Sequence, residues 1–419
     1  MGLRAASAGI GFVTTILLAR ALGAEGYGIY AFAWSLVTLL AMPAHAGLPN
    51  LVLRETARGL AEGRPDLVKG VWWWSGRVVA VLSLVMIGLI GPLLVAWQGG
   101  LKSSAGQTLA WALALVPLLA LGNLLGAALR GMQYVVLGLL PEFFLRPALF
   151  LLFVVGSAQL WAEKLSPPVA MKLLATAFLV AFIVGIKLLW RLMPSAVRRS
   201  RPALKKSGWL ASSIIFALMA GFNVINDQAS TVILGIFEAP DVVGRFRVAV
   251  QMATLSAFGL QAINLVVAPR FADLWSRGEK ERLQRLATRS AQVVLTFNFV
   301  VALLFALAGR PLLRMLFGTE FTGAYLPLLI LLAGQLVNSA AGSVGYLLNM
   351  TGHERETAKA MTAAGVLNLM LATVLIPIWG MIGAAAATAI SMALWNGLLW
   401  WWVRKRLGIN SLAFNMQLK

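Results

Sequence analysis

Charged and amide side chains are scarce within the long apolar stretches of this chain, so each one that occurs there is a candidate for chemistry. An ionisable group placed in hydrocarbon costs about 3 kcal/mol or more unless it meets a cavity or a partner. Asn223, Asn226, Asp227 and Ser230 recur at i, i+3, i+4 and i+7, which sets all four on one helical face. Arg247, Gln251, Thr254 and Gln261 form a second stripe, and Gln335, Asn338, Ser339, Gly342, Tyr346 and Asn349 a third. Such stripes either line a water-filled lumen or hydrogen-bond one helix to another. Three of them, one carrying a carboxylate, favour a lumen. Asp227 is the candidate for binding a coupling proton or Na⁺.

Arginines supply the opposite charge. Glu142 and Arg146 stand four residues apart in the order that favours a helical ion pair, and Arg146 is the arginine deepest in an apolar stretch. Arg20, Arg245, Arg247, Arg310 and Arg314 fall near the outer ends of apolar segments, and Arg77 one or two turns inside another. The guanidinium is planar, permanently charged and donates paired hydrogen bonds, which suits phosphate. Singly, such side chains can snorkel to headgroups, as Lys172 and Lys187 are expected to do. Together they would make a lumen attractive to an anion. The expected binding set is Arg20, Arg77, Arg146 and Arg247, with Asn223, Asn226 and Gln251 as neutral donors and acceptors.

Other chemistries find no residues. There is no cysteine, and His45 and His353 are the only histidines, so neither a thiolate site nor a histidine-rich metal site is expected and no cofactor is implied. No G-x-x-x-x-G-K-[ST] stretch is present, so no nucleotide-driven step is expected. No nucleophile–base pair stands out, and the outer connections are too short for a catalytic domain. The glycines of GNLLGAALRG (122–131) read as close helix packing rather than a phosphate cradle.

The elements that must position these groups are membrane spans. Hydrophobic residues make up 60% of the 419 and charged residues 12%, against roughly 45–50% and 25% in soluble domains. Twelve spans are expected, near 4–22, 27–48, 71–97, 107–129, 134–157, 168–190, 209–235, 242–268, 289–317, 322–349, 359–378 and 380–403. The first apolar run reads as a retained span, not a cleaved signal. The net charge of +20 would suggest nucleic acid in a soluble protein, but here the basic residues cluster in alternate connections. Arg54, Arg58, Arg64 and Lys69, the 191–206 group, the 270–289 group and Arg404, Lys405 and Arg406 share one side. Only Lys102 and Lys164 lie opposite. The positive-inside rule then places both termini in the cytoplasm. Trp72, Trp73, Trp74 and Trp400, Trp401, Trp402 fall at that same boundary, where indoles favour the headgroup level. The segments 51–69 and 271–289 mix basic and apolar residues and are expected as short interfacial helices.

A shift of 216 residues brings Leu18, Gly28, Ala33, Thr38, Leu39, Ala41, Ala46 and Arg54 onto Leu234, Gly244, Ala249, Thr254, Leu255, Ala257, Ala262 and Arg270. Six spans per half keep both halves in one orientation, a parallel repeat of the kind transporters use. Two six-helix domains, 1–200 and 201–419, follow.

The stretches LLARALGAEGYGIYAFAWSL (17–36), ILGIFEAPDVVGRFRVA (233–249), APRFADLWSRGEKERLQRL (268–286) and GRPLLRMLFGTEFTGAYLPLLILL (309–332) resemble bacterial and archaeal polysaccharide flippases of the Wzx type. These belong to the superfamily that also holds multidrug exporters and peptidoglycan-precursor flippases. The resemblance implies an all-α membrane protein whose two bundles form a V around a central cavity. It implies a polyprenyl-pyrophosphate-linked oligosaccharide as cargo, moved from the cytoplasmic to the outer leaflet of the cell membrane. Membrane lipids, and glycosyltransferases or a polymerase of the same pathway, are the implied partners. Arg20 and Arg247 lie within the matching stretches; Arg77 and Arg146 rest on depth alone. The alternatives are a cation-coupled multidrug exporter, disfavoured by the excess of arginine over carboxylate, and a membrane glycosyltransferase or polymerase, disfavoured by the short outer loops.

Overall fold

A computed structural model describes residues 2–160, 165–204 and 206–414. They are helical almost throughout, and no strand occurs among them. In hydrocarbon the backbone must satisfy its own hydrogen bonds, and helices do so within one segment. The chain forms two compact units, Met1–Val224 and Ile225–Lys419.

In the first unit α1 (Gly2–His45) is followed by α2 (Leu48–Ala61), α3 (Pro65–Trp97), α4 (Ser104–Leu113), α5 (Leu115–Gly131) and α6 (Val135–Leu140). A π-helical turn, Pro141–Leu145, leads into α7 (Arg146–Leu160), then come α8 (Pro167–Leu192) and α9 (Ser195–Arg199). The helix α10 (Lys206–Phe237) crosses from the first unit into the second. The second continues with α11 (Pro240–Ser276), α12 (Lys280–Phe317), α13 (Tyr325–Ala341), α14 (Val344–Met350) and α15 (Glu354–Leu407).

Among the described residues nine helices are long and apolar enough to cross a membrane. Two of them change direction at a glycine. In α1 Gly23 has φ 69° and in α15 Gly380 has φ 53°, conformations that residues with a Cβ rarely adopt. These breaks fall where the sequence places the turns between the first two and the last two spans. A third break separates α13 from α14 at Gly342, φ 74°, inside the predicted tenth span.

The 216-residue shift relates the elements of the two units as well as their letters. It carries Gly23 onto Ala239, the extended residue before α11, and Pro65, the start of α3, onto Glu281, beside the start of α12. Pro167, the start of α8, falls on Gly383, just past the Gly380 break. One difference is local. Ala46 (φ 42°) and left-handed Gly47 separate α1 from α2, whereas the matching stretch of α11 runs on unbroken. Gly47 corresponds there to Ile263, whose branched Cβ opposes a positive φ.

That difference decides the two interfacial helices expected from sequence. The first exists as α2, which buries Leu48, Leu51, Val52 and Thr56 and exposes Arg54 and Arg58. The second does not form a separate helix: α11 and α12 extend through 271–289 and meet at a turn on Gly278, φ 71°.

Close approaches use glycine, as the 122–131 stretch suggested. A Cβ on Gly126 would stand 2.8 Å from the Gly138 carbonyl oxygen, and one on Gly131 2.6 Å from the Thr56 Cβ. The stretch 200–204 leading toward α10 is fastened to the start of α3. Lys69 Nζ donates to the carbonyls of Arg198 (2.7 Å) and Ser200 (2.8 Å), and the Ala203 amide donates to Asp66 (3.0 Å).

Much of the polar material in the second unit joins helices instead of facing a lumen. Ser230 Oγ lies 3.4 Å from Asn368 Oδ1 and 3.2 Å from Thr388 Oγ1, and Asn368 Nδ2 donates to Ser391 at 2.9 Å. Asn298 Nδ2 donates to Ser339 Oγ, which in turn donates to the Gln335 carbonyl at 2.7 Å. The stripe at 335–349 is therefore partly interhelical glue. Because Asn368 is 1% exposed and carries two such bonds, Asn368→Leu is expected to destabilise the protein by about 1 kcal/mol. The shift of its unfolding midpoint in detergent measures this.

After α15 the segment 408–414 returns along α12 and α13. Asn410 exchanges hydrogen bonds with Gln284, and Gln292 Nε2 donates to the Ala413 carbonyl at 3.1 Å. The Ala413 amide and Ser411 Oγ donate to Ala340 and Ala341, carbonyls that the Gly342 break would otherwise leave open.

Candidate functional site

Arg146 owes its setting to Pro141. Proline brings no N–H to the helix ladder and crowds the preceding turn. The chain answers with one wide turn, in which the Arg146 amide reaches back five residues to the Pro141 carbonyl. Single π turns of this kind re-aim a side chain without ending the helix. Glu142 and Arg146, which an ordinary helix would pair, do not form an ion pair within 4.0 Å. No direct ion pair forms, although the charge of Glu142 still acts on Arg146. Arg146 instead lies over the Phe178 ring of α8, Cζ 4.5 Å from its centroid. That is a cation–π contact.

Arg146 and Glu142 line a cleft with Asn123 and Gly122 of α5 and Phe178 and Gly185 of α8. Its free space is about 40 Å³, where about 10–15 Å³ suffices for one water. A Cβ on Gly122 would touch nothing within 4 Å, so the glycine keeps the cleft open. Tyr27 and Tyr30 of α1 and Phe150 of α7 stack in sequence, 6.2 and 6.3 Å between centroids, and brace α7 from the other side. Sequence reading missed Asn123 and Phe178. The one signal for them was Pro141 just ahead of a charged pair in an apolar run.

The other arginines of the first unit do not join this cleft. Arg77 is exposed on α3 and lies over the Trp73 ring at 3.5 Å, and Arg20 is exposed on α1 just before the Gly23 break.

In the second unit Asp227 is exposed on α10, and half-buried Arg247 of α11 is the charge that acts on it, although the two form no direct ion pair. Asn226, beside Asp227, has a buried Nδ2 with no hydrogen-bond partner, as does Gln228 Oε1. Gln251 lies one turn along α11 from Arg247, half-buried, with its carbonyl accepting from Thr254 at 2.7 Å. The side chain of Asn223 lies outside the described residues. Arg245 is occupied: it pairs with Asp241 at 2.9 Å and donates to the Glu320 carbonyl at 3.0 Å, tying the start of α11 to the turn after α12. Arg310 packs 5.0 Å over the Tyr325 ring. Among the described residues no three His, Asp or Glu side chains gather as a metal site would require.

The all-helical arrangement agrees with what the chain matches. Residues 2–275 fit the family described as polysaccharide biosynthesis protein. The chain belongs to that family. It is 25% identical over 395 residues to the probable low-salt glycan biosynthesis flippase Agl15 of Haloferax volcanii, across 92% of this chain and 78% of that protein. Two solved structures share the fold. One is an inward-facing multidrug resistance MATE transporter of the MOP superfamily, with TM-score 0.77 and 12% identity over 95% of this chain and 94% of that one. The other is the lipid II flippase MurJ in an inward closed conformation, with TM-score 0.74 and 11% identity over 95% and 86%. The family suggested by the sequence motifs is thus the one found, and its fold is a transporter fold.

Proposed function

We propose that the chain is a transporter, not an enzyme, which moves a polyprenyl-pyrophosphate-linked oligosaccharide from the cytoplasmic to the outer leaflet for polysaccharide biosynthesis. Arg146 carries the reading: a guanidinium within an apolar segment, stacked on Phe178 and without an ion-pair partner, invites an anion. Membership of the polysaccharide biosynthesis family and likeness to a probable glycan biosynthesis flippase support a lipid-linked glycan as the cargo that brings one. The cleft's free space of about 40 Å³ is small for a pyrophosphate, so admitting one requires α5, α7 and α8 to part. Arg20, Arg77 and Arg247 are further cationic stations on the route. Asn223, Asn226 and Gln251 take sugar hydroxyls, for which the unpartnered Nδ2 of Asn226 is suited.

The basic connections orient the protein with both termini in the cytoplasm and the two repeats, 1–200 and 201–419, as parallel six-span halves. An inside-negative potential then assists outward movement by about 2.3 kcal/mol per negative charge per 100 mV. Asp227 beside Arg247 is where a proton or Na⁺ would couple. The test uses the purified protein in liposomes carrying a lipid-linked oligosaccharide, with glycan exposure read by an impermeant lectin. Accessibility is expected to rise with the protein present, and faster with the potential that drives anions toward the lectin side. Movement of a cationic dye against an ion gradient, with no lipid transfer, would replace this reading with that of a multidrug exporter.

A further inference from the structure

A second cavity of about 180 Å³ adjoins the Arg146 cleft in the first unit. Its lining comes from α2 (Val52), α3 (Trp72, Gly76), α5 (Leu121, Leu124, Leu125, Ala128) and α8 (Phe182, Ile186, Leu189) and is apolar except for the indole N–H of Trp72. That N–H is already committed, donating to Thr56 Oγ1 at 2.8 Å. The space exceeds the ~150 Å³ of a dry apolar cavity that accepts benzene. Leu125 and Phe182 belong to both cavities, so the cleft that holds Arg146 and the hydrocarbon-lined chamber adjoin at these two side chains.

We propose that the cavity lined by Trp72, Gly76, Leu124, Ala128, Phe182 and Leu189 takes the first isoprenoid units of a polyprenyl phosphate whose phosphate is held by Arg146. The wall between the two compartments selects this occupant. In a polyprenyl phosphate the hydrocarbon begins at the phosphate ester oxygen, so apolar chain can pass directly over Leu125 and Phe182. In a phospholipid a glycerol with two ester carbonyls intervenes. Those groups would be buried against side chains that offer no donor, which is costly. The cavity thus deepens the flippase reading, on which it rests, by giving the protein a way to recognise the carrier lipid as well as its charge.

The glycines supply clean probes. A Cβ on Gly76 would meet nothing within 4 Å, so Gly76→Phe and the milder Gly76→Leu fill the chamber without displacing backbone. The protein in nanodiscs is exposed to geranylgeranyl monophosphate bearing a diazirine on its second isoprene unit. A parallel sample receives phosphatidylglycerol bearing a diazirine on an acyl chain. Labelled peptides are mapped by mass spectrometry. The prenyl probe is expected to label α3, α5 and α8 at the chamber, with labelling reduced at least five-fold in Gly76→Phe and less in Gly76→Leu. The phosphatidylglycerol probe should leave the chamber unlabelled. Equal labelling by both probes, or labelling unchanged in folded Gly76→Phe, would overturn the proposal. If the prenyl probe labels the chamber while the wild type moves no lipid-linked oligosaccharide in liposomes, the site stands and the transport reading fails. If transport proceeds but the chamber is never labelled, the reverse holds.

Discussion

Arg146→Met is expected to slow the proposed transfer of a lipid-linked oligosaccharide at least ten-fold, about 1.4 kcal/mol of lost interaction, while leaving the protein more resistant to heat. The two effects have one cause. Arg146 sits in an apolar segment over Phe178 and forms no direct ion pair, the charge of Glu142 acting on it only from a distance. A cation held this way is a standing cost to the folded state, removed when an apolar side chain of similar length takes its place. Each kcal/mol recovered raises the unfolding midpoint by about 2–4 °C. Arg146→Lys keeps the charge but loses the planar fork and the flat contact with the ring, so it should transport at an intermediate rate. Arg247→Met is the contrast. Arg247 is the charge that acts on Asp227, so its loss should lower transport, while thermal resistance should change little because Asp227 is exposed and the two form no direct ion pair. Transport assays beside thermal unfolding in detergent separate these outcomes. Unchanged transfer in both Arg146→Met and Arg247→Met would refute a cationic route.

The spans were legible because their signal is composition summed over some twenty residues, which survives any local irregularity. The breaks at Gly23 and Gly380 were legible for a related reason: each falls between two apolar runs that fill a bilayer separately. The repeat is faint in letters, and among the elements the shift carries the Gly23 break and the start of α3 onto the starts of α11 and α12. What the sequence hid depends on single turns and distant partners. Pro141 in an apolar run reads as a kink, and nothing local indicates that the ladder will widen there. Ser230 and Ser339 fall on polar stripes that the sequence shows, whereas Asn298 stands in no such stripe. Whether such a face meets water or another helix is set by Asn368 or by Asn298, tens of residues away. The pairing of Asn410 with Gln284 joins segments more than a hundred residues apart, beyond any periodicity.

Gly70→Ala is expected to be the most damaging substitution of a single hydrogen by a methyl group in the first unit. A Cβ at Gly70 would lie 1.8 Å from the Ala203 carbonyl oxygen and 2.8 Å from its carbon. Both are backbone atoms, so no side-chain rotation relieves the overlap. The stretch 200–204 would have to leave α3, and three contacts would go with it: the Ala203 amide on Asp66, the Ser200 hydroxyl on Pro65 (3.2 Å) and the Lys69 ammonium on the Ser200 carbonyl. Overpacking costs about 1–3 kcal/mol, and each hydrogen bond given up adds about 1 kcal/mol. The damage should be local, because the released segment returns to water with its polar groups satisfied while α3 keeps its apolar packing. A protease that cuts after arginine should therefore cleave at Arg198, Arg199 or Arg201 several-fold faster in Gly70→Ala than in the wild type, with the helix content retained. Lys69→Met tests the same attachment from the other direction. It removes the ammonium without adding bulk, and it should raise cleavage to a smaller degree. Cleavage at the wild-type rate in both variants would mean that the stretch 200–204 is held by something other than the start of α3.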